Sequence, residues 1–200
     1  MNFQGHFENA LRLLKDHALV VVLCGLLVQL LVVCTFGILS GPMLGAYLLS
    51  MILYFRDGRE PVFNDAFAGL QRFGALFPYI FLLLLVMLGF ILLLIPGVIF
   101  AVWWLYALPL MADKGMRLGE AMRVSRAKVL EKGFFMHLVF VFMITIVPNV
   151  LITFLASIIP LLQLLFILMP PLQAACLASL YLEQFEGLDP VGHTAELPAF

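Results

Sequence analysis

Three long stretches of this 200-residue chain contain no charged residue, and their lengths limit what the chain can fold into. No Asp, Glu, Lys or Arg occurs over 17–55, 73–112 or 133–182, which are 39, 40 and 50 residues long. One membrane-spanning helix needs about 20 apolar residues, so each stretch suits two crossings. Breakers near the middle of each stretch predict a turn, because the lipid core tolerates only backbone whose hydrogen bonds are satisfied. These breakers are Gly37, Gly41, Pro42, Pro96, Gly97, Pro160, Pro170 and Pro171.

The pattern predicts an all-α, polytopic transmembrane bundle with six spans arranged as three tandem hairpins. We expect one transmembrane domain over 1–187 and an acidic cytoplasmic tail over 188–200. The six spans are predicted over 18–39, 42–55, 76–95, 97–112, 134–157 and 170–182.

The amino-acid composition excludes other classes of protein. Apolar residues make up 64% of the chain and charged residues 12%, against about 45–50% and about 25% in a soluble globular domain. A net charge of −1 gives no basic excess for binding nucleic acid. Three cysteines are too few for a disulfide scaffold. A soluble enzyme, a disordered chain and a small secreted domain are therefore not expected.

The basic residues set the orientation of the predicted spans. All eleven Lys and Arg residues fall in segments on one side of the membrane, and the turns on the other side carry none. Such segments normally face the cytoplasm. Both chain termini and both charged loops are therefore predicted to be cytoplasmic.

An amphipathic segment precedes each predicted hairpin. Helical spacing puts apolar residues of each segment on one face. Such segments normally lie in the headgroup plane, so we predict three cytoplasmic amphipathic helices; the alternative is a loop helix packed on the bundle. The three apolar faces consist of Phe3, Phe7, Ala10, Leu11 and Leu14; of Ala66, Phe67, Leu70 and Phe73; and of Leu118, Ala121, Met122, Ser125 and Val129.

The second arms of the first and third hairpins resemble each other. Aligning Pro42 with Pro171 also matches Gly58 with Gly187, which is the pattern of an internal parallel repeat. The second span, 42–55, is about 21 Å of helix, against a hydrocarbon core of about 30 Å. We therefore expect local thinning of the bilayer or a re-entrant start for this span.

Small residues recur on the second and sixth spans and predict close helix packing. Gly41 and Gly45 lie four residues apart on the second span, with Ser50 further along. Ala175 and Ser179 have the same spacing on the sixth. Small side chains let backbones approach closely where no hydrophobic effect drives helix association. These residues predict that the two spans form the central pair.

The sequence contains no recognisable catalytic or metal-binding set. The four histidines are scattered without the spacing of metal ligands, and no nucleophile elbow or phosphate-binding glycine loop occurs. No Asp, Glu, Lys or Arg lies within a predicted span, and such residues are the usual marks of ion pathways. We therefore expect no catalytic residue, no metal, no cofactor and no ion-coupled transport.

The last charged loop is basic and predicts a contact with anionic headgroups or with a partner. Segment 113–132 has six basic and three acidic residues, whereas the chain from Glu183 onward has four acidic residues and no basic one. Each basic group near a membrane surface contributes about 1 kcal/mol. Pairing with the acidic tail and plain solvation are the alternatives. The predicted contact residues are Lys114, Arg117, Arg123, Arg126, Lys128 and Lys132.

Two residues within the spans offer an alternative role. Trp104 lies deeper on the fourth span than a usual aromatic belt. Asn149 follows Pro148, which frees a backbone carbonyl in mid-span. Packing between helices is the simpler interpretation of both. The alternative is that Trp104 and Asn149 line a cavity for a lipid or a small apolar solute.

Several short motifs occur in a fixed order along the chain. They are Gly41-Pro42…Gly45, Arg56-Asp57-Gly58-Arg59-Glu60, Phe67-Ala68-Gly69-Leu70, Ile95-Pro96-Gly97 and Ala121-Met122-Arg123-Val124-Ser125. This order resembles that of a broad group of bacterial six-span proteins, which includes the YciC-like proteins and the membrane domain attached to some glycerophosphodiester phosphodiesterases. The resemblance covers most of 1–187 and implies a bacterial inner-membrane protein. It implies no catalytic residue here, because the phosphodiesterase residues belong to a separate soluble domain.

The favoured function is therefore non-catalytic. We expect a membrane-embedded scaffold or accessory subunit that engages membrane lipids, anionic headgroups above all, or a partner membrane protein, including a second copy of this chain. The alternative is a passive transporter or channel for a lipid or a small apolar solute. A polar or lipid-filled cavity would favour transport, and a packed centre would favour a scaffold.

Overall fold

The computed structural model describes residues 3–187, and within them the secondary structure is helical, without a strand. The all-α class is therefore confirmed. The predicted acidic tail over 188–200 lies outside the described residues. The helices are α1 Phe3–Cys34, α2 Ser40–Asp57, α3 Asp65–Ala68, α4 Phe73–Leu76, α5 Tyr79–Leu92, α6 Leu94–Trp103, α7 Ala107–Asp113, α8 Leu118–Lys132, α9 Phe134–Val141, α10 Val147–Ile158 and α11 Met169–Glu186. Two 3₁₀ segments, Gly69–Arg72 and Pro160–Leu168, and a π segment, Phe142–Ile146, connect some of them.

Four helical segments are long and apolar enough to cross a membrane, and a bent pair of helices makes a fifth. The four are Gln4–Cys34, Leu94–Asp113, Phe134–Ile158 and Leu161–Glu186, and the pair Asp65–Leu76 and Tyr79–Leu92 meets at 81°. Helix α2, which contains the predicted second span, does not belong to this set. The coarse expectation of a polytopic helical membrane protein holds, with four to five segments of spanning character among the described residues.

Helix α1 combines the first amphipathic segment and the first predicted span. Its backbone departs from helical geometry at His17 (φ −129°, ψ 28°), where the helix kinks. The chain then turns over residues 35–39, with positive φ at Phe36 and Gly37. Gly41 and Pro42, predicted as breakers, lie instead in the first turn of α2. A proline there has no helical hydrogen bond to lose.

The second hairpin turns three residues earlier than the sequence predicts. Leu93 has an extended backbone (φ −159°, ψ 133°) and separates α5 from α6. Pro96 and Gly97 therefore lie at the start of α6 and not in the turn. Two glycines permit a close approach of these helices. A Cβ on Gly89 of α5 would lie 3.0 Å from the Cα of Gly97, and a Cβ on Gly97 would lie 2.7 Å from the amide nitrogen of Phe90.

A serine of α8 forms hydrogen bonds with backbone groups at the break between α6 and α7. The Ser125 hydroxyl donates to the carbonyl of Trp103 (2.8 Å) and accepts from the amide of Tyr106 (3.1 Å). Ser125 is fully buried. Buried backbone groups need hydrogen-bond partners. Ser125 of α8 supplies them where the helix of the fourth predicted span is interrupted, between α6 and α7.

The third hairpin has one long arm and one short arm. The long arm runs through α9, the π segment and α10, from Phe134 to Ile158, against a prediction of 134–157. The 3₁₀ segment Pro160–Leu168 makes the connection. Helix α11 then begins at Met169, with Pro170 and Pro171 in its first turn.

Helices α2 and α11 lie at the centre of the molecule. α11 packs along α1 and α2, and α2 also contacts α7. Met43 and Ile52 of α2 and Tyr181 of α11 are almost fully buried. The Tyr47 hydroxyl of α2 donates to the carbonyl of Val21 in α1 (3.0 Å), which joins the two arms of the first hairpin.

Large apolar side chains cover the outside of the bundle. Leu19 and Leu30 of α1, Phe81 of α5, and Val150 and Phe154 of α10 are all exposed. Soluble monomers rarely expose contiguous apolar surface on this scale. These faces are suited to contact with lipid chains.

The apolar faces predicted for the first two amphipathic segments are only partly buried within the protein. In α1, His6, Ala10 and Leu13 are buried, whereas Phe7 and Leu11 are exposed. The reason is that His6 finds polar partners on α11. In the second segment Ala66 and Gly69 are buried while Phe67, Leu70 and Phe73 are exposed, because a small face lets the segment lie against Pro42 and Ala46 of α2.

The third amphipathic segment, α8, buries the predicted face. Ala121, Ser125 and Val129 are fully buried, and Met122 packs beside them. This segment contacts α6, α7 and α9. All three segments therefore pack on the bundle, the first two with apolar side chains left on the outside.

Candidate functional site

Three helices of the fold end in the same way. Gly58 follows α2, Gly115 follows α7 and Gly187 follows α11, with φ of 68°, 65° and 69°. Positive φ at such a position is readily adopted only by glycine and ends a helix. Gly58 and Gly187, which the sequence comparison aligned, thus end α2 and α11 with the same left-handed backbone conformation. Gly115 has this conformation just after α7, in the middle hairpin.

Four charged side chains meet where these helices end. Arg56 donates from Nη1 and Nη2 to the two carboxylate oxygens of Asp113, at 2.7 Å each. Its Nε donates to Oε2 of Glu186 (2.8 Å), and Nζ of Lys114 donates to Oε1 of the same carboxylate (2.8 Å). We call these four residues the Arg56 cluster.

The Arg56 cluster is partly buried and has no net charge. The Asp113 side chain is 5% exposed and that of Arg56 is 21% exposed. The Tyr181 hydroxyl donates to Oδ2 of Asp113 (2.8 Å). The hydrogen bond with Asp113 raises the pKa of Arg56, and the hydrogen bond with Glu186 raises the pKa of Lys114. Both cations therefore stay charged at any physiological pH.

The chemistry of the Arg56 cluster is suited to holding helix ends together rather than to catalysis. A planar guanidinium forms paired hydrogen bonds with carboxylates, and a cation is favoured near the negative end of a helix dipole. Within residues 3–187, no group of three or more His, Cys, Asp or Glu side chains could hold a metal ion. The cluster joins the ends of α2, α7 and α11.

A second polar cluster lies between the start of α1 and α11. Nε2 of His6 lies 2.6 Å from Oε2 of Glu183, and Nδ1 of His6 lies 2.9 Å from Oγ of Ser179. Asn9 donates from Nδ2 to the same Oγ (3.3 Å). Nδ1 of a neutral imidazole can accept from the Ser179 hydroxyl, while Nε2 lies against the Glu183 carboxylate.

The order Ser179, His6, Glu183 is that of a serine–histidine–acid triad. Ser179 is 4% exposed and His6 is 0% exposed, so a substrate carbonyl cannot reach Oγ in this structure. Ser179 also lies inside α11, where backbone amides bond within the helix and cannot serve as oxyanion donors. These contacts hold the start of α1 on α11.

A third polar contact joins α9 to the start of α7. Nδ1 of His137 lies 2.9 Å from the carbonyl of Gly133, and Nε2 lies 2.9 Å from the hydroxyl of Tyr106. Since a carbonyl only accepts, Nδ1 carries the proton and Tyr106 donates to Nε2. Nothing in the sequence identifies Tyr106, 31 positions away, as the partner of His137.

No family model matches this chain, and no curated protein or solved structure matches it. The resemblance to bacterial six-span proteins therefore stays a prediction. What the protein does has to be inferred from its own residues.

The structure divides the six predicted basic contact residues into two groups. Lys114 belongs to the Arg56 cluster, Arg126 lies over the ring of Trp103 at 4.4 Å, and Lys128 lies 3.3 Å from Glu131. The other three are exposed on α8 or at its ends. They are Arg117, Arg123 and Lys132.

Helices α2 and α11 pack against each other, and the small residues predicted on both lie in buried positions. A Cβ on Gly41 would overlap the carbonyl oxygen of Leu76, and one on Gly45 would lie 3.3 Å from the Leu76 side chain. Ala175 of α11 is fully buried, and Ser179 bonds to residues of α1. Ser50 donates to the carbonyl of Tyr47 in its own helix. The absence of a side chain at Gly41 and Gly45 thus lets Leu76, at the end of α4, pack closely against α2.

The two residues predicted for a cavity make contacts within their own segments. Trp104 stacks on Phe100, with ring centroids 4.9 Å apart. Asn149 donates from Nδ2 to the carbonyl of Thr145 (2.6 Å), and Thr153 donates to the carbonyl of Asn149 (2.8 Å). The side chains of Asn149 and Thr153 thus bond to carbonyls of their own helical segment.

Proposed function

We propose that the protein is a non-catalytic scaffold or accessory subunit of the bacterial inner membrane, which engages lipids or a partner membrane protein. The Arg56 cluster is the observation that carries the proposal. Its cations and carboxylates bond to one another across α2, α7 and α11. Charged groups in a transport pathway would instead face a channel or a cavity.

The burial of the other polar groups supports the same proposal. His6, Ser179 and His137 are almost fully buried, and each bonds to a residue of another segment. Hydrogen bonds between helices contribute roughly 0.6–2 kcal/mol each in membrane proteins. A molecule whose polar residues fasten helices is suited to present a fixed surface.

We further propose six crossings with both termini in the cytoplasm, α2 being the second crossing. Helix α2 has 18 residues, about 27 Å, close to the roughly 30 Å hydrocarbon core. Its N-terminal end adjoins the exposed turn at Phe36, and its C-terminal end carries Arg56. The basic residues on one side support this orientation.

Purification from the native membrane into lipid nanodiscs, followed by mass spectrometry of bound proteins and lipids, tests the scaffold proposal. We expect one lipid class or one membrane protein to be enriched over nanodiscs that contain an unrelated polytopic protein. Enrichment of neither would overturn the proposal.

An assay of phospholipid movement between the two leaflets tests the alternative that the protein is a lipid transporter. Proteoliposomes containing a headgroup-labelled phospholipid are treated with an impermeant quencher, and we expect the inner-leaflet label to stay protected as in protein-free vesicles. Loss of that protection would favour the transporter.

A further inference from the structure

One flank of α8 combines two arginines with an exposed leucine. At 100° per residue, Arg123, Arg126 and Leu130 fall within an arc of about 60°. All three are exposed, Leu130 by 51%. The two acidic residues of this helix, Glu120 and Glu131, lie further round on the side that also carries Lys128. We call Arg123, Arg126 and Leu130 the arginine flank.

The arginine flank adjoins an aromatic residue of a spanning segment. The guanidinium carbon of Arg126 lies 4.4 Å from the ring centroid of Trp103. Trp103 ends α6, within the apolar segment Leu94–Asp113. Stacking on its ring orients the guanidinium of Arg126 without using its hydrogen-bond donors.

We propose that Arg123 and Arg126 together bind the phosphate of an anionic phospholipid in the surrounding bilayer, with Leu130 against its acyl chains. A guanidinium presents several donors in a planar fork that matches phosphate oxygens. Two cations on one flank favour a headgroup that has no compensating ammonium group. The proposal rests on the proposed scaffold function and names its lipid partner.

Native mass spectrometry of the purified full chain, titrated with phosphatidylglycerol or phosphatidylcholine, tests the inference. The variant R123Q/R126Q removes both cations of the arginine flank. The matched control, R117Q/K132Q, removes two exposed cations that lie off this flank. At about 1 kcal/mol per basic residue, we expect roughly 30-fold weaker binding of phosphatidylglycerol to the first variant. The control and the affinity for phosphatidylcholine should remain close to those of the wild type.

The single variant R126K gives a second measurement that is insensitive to net charge. It keeps the charge but loses the planar fork, so weaker binding of phosphatidylglycerol is expected. Equal losses in R123Q/R126Q and R117Q/K132Q would show diffuse attraction and overturn the inference, as would no loss in either. If R123Q/R126Q still enriches a lipid or a protein in nanodiscs but binds phosphatidylglycerol like the wild type, the scaffold proposal stands and the arginine flank fails.

Discussion

Arg56 shows how one side chain can fix three helix ends. Its guanidinium donates to Asp113 through two nitrogens and to Glu186 through a third. The donors of a guanidinium lie in one plane and cannot be reproduced by a lysine ammonium. Removing the side chain would leave two partly buried carboxylates with only Lys114 and Tyr181 as partners.

We expect Arg56→Ala to lower the free energy of unfolding by about 3 kcal/mol, because it leaves partly buried carboxylates without their main partner. At this chain length the midpoint of thermal unfolding would fall by roughly 6–12 °C. Arg59→Ala is the matched control, since the Arg59 side chain is 52% exposed in its pair with Asp65. Exposed pairs contribute about 1 kcal/mol or less. Thermal melts in one detergent would give both values, and equal shifts would contradict the role given to Arg56.

The sequence could place Arg56 at the membrane surface but could not reveal its partners. It is one of eleven basic residues, and the motif that it opens does not indicate its partners. Asp113 and Glu186 lie 57 and 130 positions away. Likewise Ser179 and Glu183 lie four residues apart on α11, and their partner His6 is 173 positions from Ser179. Such pairings depend on how the helices are arranged, which local spacing does not specify.

At the scale of elements, the contact between α2 and the segment that follows it depends on two glycines. A Cβ on Gly41 would overlap the carbonyl oxygen of Leu76, and a Cβ on Gly69 would overlap that of Pro42. Both obstacles are backbone atoms, which cannot swing aside as a side chain can. Backbone of one element therefore lies directly on backbone of the other.

Gly41→Ala should destabilise the protein by about 1–3 kcal/mol, the usual cost of overpacking a fitted contact. Gly74→Ala is the control, because a Cβ there meets nothing within 4 Å. Alanine is the better helix former, so this control should leave the unfolding midpoint unchanged or raise it slightly. If both variants melt at the wild-type temperature, the close approach of α2 and α4 is not required for stability.

Sequence patterns predicted the existence of the helices better than the positions of the turns between them. The third hairpin began at Phe134 as predicted, because the apolar run starts directly after Gly133. Leu93 could not be identified as the turn of the second hairpin, since a leucine carries no signal for an extended backbone. Pro96 and Gly97 gave a strong turn signal, yet they serve the start of α6 and its packing against α5.

For the whole molecule, the natural cysteines provide a test of orientation. Cys34 is exposed at the end of α1, whereas Cys24 and Cys176 are buried. If the termini are cytoplasmic, Cys34 lies at the outer end of the first hairpin. A membrane-impermeant maleimide should therefore label intact spheroplasts, and Cys34→Ser should abolish the label.

Arg117→Cys in the Cys34→Ser background is the complementary probe, because residue 117 lies in the basic loop. It should be labelled in inverted vesicles and not in spheroplasts. The reverse result for the two positions would invert the proposed orientation.

The Arg56 cluster also sets an order in time for a chain made from its N-terminus. Arg56 is made 130 residues before Glu186, which is roughly ten seconds at about 5–20 residues per second. Throughout that interval the first hairpin lacks the Glu186 carboxylate that completes the cluster at its end. Ser125 likewise follows the break that it satisfies. A nascent chain that stops before α11 therefore leaves Arg56 without its Glu186 partner.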